Sequence, residues 1–114
     1  MLMTKALESL DLEDLEQLAM IVHSLTGLPT AAMDLNGKGI RIEKGDVIDR
    51  KYKGPVLEEV LKTNKVVHTF AAQGAYMGKP VTVSPIRSKD GNVVAAIGVV
   101  DIIELLDLLC VSKN

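Results

Sequence analysis

The side chains of this 114-residue sequence that could do chemistry are few: two histidines, one cysteine, and scattered hydroxyl, phenol and guanidinium groups. His68 falls in a strand-like run between Val67 and Thr69. Alternation gives it a face shared with Val66 and Phe70, where an imidazole could touch an anionic ligand or titrate near neutral pH. The competing role is structural, a histidine bonded to a neighbouring backbone group. His23 lies off the leucine stripe of a helix and reads as a surface residue. With no carboxylate or cysteine at ligand spacing, the two histidines make no metal site. Cys110 ends an apolar helix, the wrong end of the dipole for a thiolate, and reads as a small hydrophobe in core or interface.

The polar positions of the second half are better candidates. Thr82 and Ser84 project to one face of a strand, and Val81 and Val83 to the other. Arg87 ends that strand and Tyr76 stands in the loop before it. With His68, and with Arg41 from an earlier strand, they could line a pocket for a small polar or anionic ligand. Arginine suits a carboxylate because its fork offers two parallel hydrogen bonds. The alternative is that Thr82 and Ser84 lie under a helix and Arg87 is solvated. Gly37-Lys-Gly39 sits in a hairpin turn, and Gly74-x-x-x-Gly78-Lys79 lacks the spacing and the following helix of a phosphate loop. Nothing pairs a nucleophile with a base, or two carboxylates across a cleft. No catalytic residue and no cofactor is assigned; binding is expected rather than catalysis.

The elements that must position these groups follow from period and punctuation. Asp11 is a plausible N-cap, with Glu13, Asp14 and Glu16 in the first turns. Leu12, Leu15, Leu18, Ala19, Val22 and Leu25 recur at helical spacing, and Gly27 with Leu28-Pro29 ends the helix. Thr30–Leu35 and Gly39–Glu43 read as strands joined at Asn36-Gly37, a hairpin signal. Gly45 to Gly54 reads as a loop of mixed charge. Pro55 to Thr63 suits a helix, closed by Asn64 in the left-handed conformation.

Val66–Ala71, Lys79–Arg87 and Val93–Val100 then form a three-stranded meander, with Asp90-Gly91 at the second turn. Val93–Val100 is apolar on both faces, so it must be a central strand covered on each side. From Asp101 a last helix begins, in which Glu104 and Asp107 are the polar residues up to Cys110. A helix so apolar needs partners nearly all round. Either the first helix lies beside it, or Ile103, Leu106, Leu109 and Cys110 form the interface of a homodimer.

Composition narrows the class. Apolar residues make up 47% and charged residues 25%, so a core can form without staples. One Phe, two Tyr and no Trp mean that this core is aliphatic. A net charge of −2 with so few aromatics gives no footprint for nucleic acid. No run approaches the ~18 apolar residues of a membrane span. The lone cysteine fits a reducing compartment and the first residues lack a signal-peptide core, so a cytoplasmic protein is expected.

The expected fold is thus α+β, a five-stranded antiparallel sheet with helices in the order α-β-β-α-β-β-β-α. It spans residues 1–114 as one domain, with 1–10 an arm or helix extension. That plan resembles the profilin-like group, which includes PAS, GAF and Cache sensor domains and roadblock dimerisation proteins. The run from Gly78-Lys-Pro-Val through Pro85-Ile and Asp90-Gly to Val93–Asp101 resembles the closing strands of Cache-type sensors. From Leu12 onward the chain is also similar to a small uncharacterised domain family of methanogenic archaea, through Gly54-Pro-Val-Leu-Glu-Glu-Val-Leu61, Gly78-Lys-Pro-Val81 and Ala95–Asp101. The resemblance implies a small-molecule sensing module acting as a homodimer. A roadblock-like scaffold with no ligand is the other reading that it allows.

Overall fold

The computed structural model describes residues 10–101, which form two helices and six strands. In chain order these are α1 (Leu12–Thr26), β1 (Thr30–Asp34), β2 (Gly39–Glu43), β3 (Asp46–Asp49), α2 (Pro55–Thr63), β4 (Val67–Phe70), β5 (Pro80–Arg87) and β6 (Val93–Val100). The strands make one antiparallel sheet in the order β3-β2-β1-β6-β5-β4. The last helix expected from Asp101, with Ile103, Leu106, Leu109 and Cys110, lies outside the described residues.

The α+β class and antiparallel sheet are as expected, but the sheet has six strands rather than five. The extra strand is Asp46–Asp49, expected as loop. It pairs with β2 through a two-residue turn in which Lys44 (φ 53°) and Gly45 (φ 84°) are both left-handed. That geometry matches the twist of a tight hairpin, and a Lys-Gly pair supplies it without the usual Asn or Asp. The strand is four residues long and begins and ends on an acid, so composition disguised it.

Strand β6 runs between β1 and β5, with Ala95 and Ala96 both fully buried on opposite faces. Ala95 joins Leu15, Ala19, Ala32, Ile40 and Ile42 beneath α1. Ala96 joins Ala31, Met33, Leu57, Val60 and Val83 beneath α2. A doubly apolar strand in an antiparallel sheet thus has a helix on each side, as its sequence demanded.

Asp11 caps α1 as its sequence suggests, its Oδ1 accepting from Asp14 N–H at 2.8 Å. The buried stripe of α1, however, is turned from the expected one. Leu15, Ala19 and His23 face the sheet, whereas Leu18, Ile21 and Leu25 are 38%, 55% and 81% exposed. His23 is therefore a core residue, not a surface one. Its Nδ1–H donates to Leu28 O at 2.7 Å, and its Nε2 accepts from Gly45 N–H at 2.9 Å. The end of α1 meets the sheet where two backbone groups need partners, and imidazole supplies a donor and an acceptor where leucine supplies neither.

Candidate ligand-binding site

The sheet has two faces, and they divide the candidate residues. Ser84 stands opposite Ile97, which packs under α1, and Thr82 and His68 pair across β4 and β5 on that same face. His68 Nδ1 lies 3.0 Å from Thr82 Oγ1 on an exposed part of the edge. Arg87 is solvent-exposed, as the alternative reading expected, but it is not free. Its Nε donates to Asn64 Oδ1 at 2.7 Å and its Nη2 to Asn64 O at 2.9 Å, which ties β5 to the left-handed cap of α2.

Arg41 and Tyr76 do come together, on the α2 face. Arg41 is opposite Ala31 in the register and opposite Asp49 across a bulge. Its Nη1 lies 3.3 Å from Glu43 Oε2, and its guanidinium carbon is 5.4 Å from the Tyr76 ring centre and 5.8 Å from that of Tyr52. The two rings meet edge to face at 6.4 Å. The Tyr76 hydroxyl donates to Glu43 Oε2. Among the described residues, the buried Arg41 Nε has no hydrogen-bond partner.

Backbone geometry holds each member in place. Tyr52 N–H donates to Gly39 O at 3.1 Å. The two segments run so close that a Cβ on Gly39 would lie 2.3 Å from Tyr52 O. The loop bearing Tyr76 is closed at its base by Gly78 N–H to Ala71 O (2.7 Å) and Ala71 N–H to Lys79 O (2.9 Å).

Burial raises the Tyr76 phenol far above its ordinary pKa, the hydrogen bond to Glu43 adding to the effect, while Arg41 opposes it. Tyr52 is raised chiefly by burial, again against Arg41. For Arg41 burial pulls downward, but Tyr76, Glu43 and Asp49 outweigh it and hold the pKa up. Both phenols are neutral and Arg41 is charged at any ordinary pH.

Beside this cluster lies a cavity of about 220 Å³. Ala31, Val81, Val83, Gly98 and Val100 form its floor, the start of α2 (Pro55 to Leu57, with Glu59) one wall, and Ala71 to Gln73 another. Tyr52 and Tyr76 also line it. Gly98 gives room on the floor, since a Cβ there would sit 2.6 Å from Val83 Cγ2. The space lies between the sheet and the segments around residues 52–54 and 71–76, over the Val81/Val83 face rather than the Thr82/Ser84 face where a pocket was expected.

Tyr52 and Glu43 were not foreseen as site residues. A signal for Tyr52 existed: in a chain with two tyrosines, one stands within a charged run where a solvated loop needs none. Among the described residues no three potential metal ligands cluster, and no helix is long and apolar enough to cross a membrane.

The profile of a family described as an uncharacterised protein conserved in archaea, DUF2111, matches residues 22–103. The chain belongs to this family. A relative in Methanocaldococcus jannaschii, itself an uncharacterised protein, is 39% identical to this DUF2111 chain over 110 residues, 94% of the chain and 83% of the relative.

Among solved structures, the DUF2111 fold is similar to the ligand-binding domain of the Campylobacter jejuni chemoreceptor Tlp3 in complex with L-valine. The TM-score is 0.53 at 24% identity, covering 84% of this chain and 43% of that one. The sensory domain of the same receptor with isoleucine bound gives 0.51 at 25% identity, covering 84% and 42%. The chain thus spans under half the length of these Cache-type sensory chains.

Proposed function

We propose that this DUF2111 domain is a non-catalytic sensing module that binds a small metabolite in the cavity between the Val81/Val83 face, α2 and the two tyrosine-bearing segments. The observation that carries the reading is that cavity: concave, largely apolar, with a few polar groups converging on its rim, as small-molecule sites generally are. Likeness to sensory domains that hold valine and isoleucine supports a ligand with a branched aliphatic body. We read the site as binding rather than catalytic because, among the described residues, its lining sets no nucleophile against a base. A cytoplasmic location accords with the single cysteine.

Homodimerisation belongs to the same proposal. The outer face of α1 supports it, since Leu18, Ile21 and Leu25 form an exposed apolar row at helical spacing.

The decisive experiment is a titration of the chain with L-valine and L-isoleucine, followed by tyrosine fluorescence. The protein has two tyrosines and no tryptophan, and both tyrosines line the cavity, so the signal comes from the site. Saturable change in the wild type, abolished in Ala71→Leu, is the expected result. Ala71 lies on the rim, so the substitution fills space without opening the core. Binding that survives Ala71→Leu would place the ligand elsewhere.

A further inference from the structure

We infer that the cavity selects an alkylammonium, a branched apolar body carrying one positive charge, over a carboxylate or a zwitterion of the same shape. The inference rests on the cavity being a ligand site.

Four observations lead to it. First, the one charged side chain among the described residues of the lining is an acid, Glu59, on the wall made by α2. Second, the only two tyrosines of the sequence both line the same space, and aromatic ring faces attract cations. Arg41 already shows this locally, its guanidinium carbon lying 5.4 and 5.8 Å from the two ring centres. Third, Arg41 is not part of the lining and is paired to Glu43 at 3.3 Å. Glu43 and Asp49 both act on Arg41, so its charge is already answered behind the rings. Fourth, the floor is aliphatic, so an ionised ligand group enters only where a counter-charge or a ring face receives it.

These observations decide the sign of the ligand. A carboxylate entering this space would lose water and meet Glu59, with no cation among the described lining residues to compensate. A zwitterion would satisfy its ammonium and leave its carboxylate unpaired. An alkylammonium can turn its charge toward Glu59 or toward a ring face and lay its methyl groups on Val81, Val83 and Val100. No bond is made or broken; the selectivity is one of charge.

The test removes one charge of valine at a time. Isobutylammonium is valine without its carboxylate, and isovalerate is valine without its ammonium. Each is titrated against the full chain at low ionic strength, where an exposed acid still acts on a ligand. Isobutylammonium should bind about tenfold more tightly than isovalerate, with L-valine between them.

Glu59→Gln should close most of that gap, and Glu59→Lys should reverse it. Glu59 sits on the wet side of α2, so both variants should keep wild-type circular dichroism. Isovalerate binding as tightly as the ammonium, or a gap unchanged in Glu59→Gln, overturns the charge assignment and leaves the cavity as a ligand site. If none of the three binds, both readings fall together.

Discussion

Gly39→Ala tests whether the close backbone crossing beside the cavity is what sets the position of Tyr52. Gly39 opens β2, and its carbonyl accepts from Tyr52 N–H at 3.1 Å. An alanine Cβ would lie 2.3 Å from Tyr52 O and 3.3 Å from Ala32 O, and both obstacles are backbone. The first distance is about 0.7 Å inside the 3.0 Å that real Cβ contacts respect. A side chain could swing away, but a carbonyl moves only with its segment.

The expected cost is therefore at the upper end of the overpacking range, about 3 kcal/mol. That is a large fraction of the 5–15 kcal/mol typical of a domain. Gly54→Ala is the control. Its Cβ would meet Leu57 Cδ1 at 2.9 Å and Tyr52 Cε2 at 3.0 Å, ends of side chains that can rotate, so about 1 kcal/mol is expected. Urea unfolding followed by circular dichroism should show a lower midpoint at unchanged slope for both, with Gly39→Ala the lower. Its folded state should also show altered tyrosine fluorescence, because Tyr52 must shift. If Gly39→Ala lies within about 0.5 kcal/mol of wild type, the usual range of an innocuous surface change, the crossing does not position Tyr52.

His23→Leu should cost about 2–4 kcal/mol by urea unfolding despite its added hydrophobicity, because Leu28 O and Gly45 N–H are left without their partner. A neutral result would mean that water replaces the imidazole. Asn64→Ala should cost about 1–2 kcal/mol, combining a left-handed φ of 57° with the loss of bonds to Arg87 and Gly91. Asn64→Gly should recover part of that cost, and no recovery would exclude backbone strain.

The chain should also lose stability in alkali. Both phenols have folded pKa values raised above the ordinary 10.0, so their contribution is complete below that pH and lost as pH rises through the folded values. Phenolate absorbance measured with unfolding should show ionisation delayed beyond that of free tyrosine. Tyr76→Phe should move the alkaline transition upward; an unmoved transition would mean that Tyr76 ionises without unfolding the chain.

Much of the framework was legible in the residues. Asp11, Pro55 and Asn64 mark helix ends because caps are local chemistry, and Val93–Val100 reveals its central place because burial on both faces leaves no polar position. The misreadings arise where a non-local partner decides. Spacing alone places Leu25 as well as Leu15 on the apolar side of α1; the approach of β1 and of the turn at Gly45 selects His23 for the inner face instead. The face bearing the cavity was misjudged for a related reason. Alternation reports which residues share a face of β5, but not whether that face is filled. Val81 and Val83 look like core in sequence, and they are buried core that also floors a cavity. Arg87, with its free-looking guanidinium, is committed to Asn64, a partner 23 positions away.

The central position of β6 has a consequence for how the molecule is made. Among the described residues, the β1–β2–β3 meander and the β4–β5 pair share no strand contact except through β6, the last of these strands in the chain. On a ribosome the first three strands and α1 are complete while the inner edge of β1 still awaits its partner, some sixty residues later. During that interval Thr30–Asp34 presents unpaired amides and carbonyls on an apolar strand, a template for another nascent chain. Folding should therefore be a late, concerted closure, slow for the chain's length because its defining contact is long in sequence.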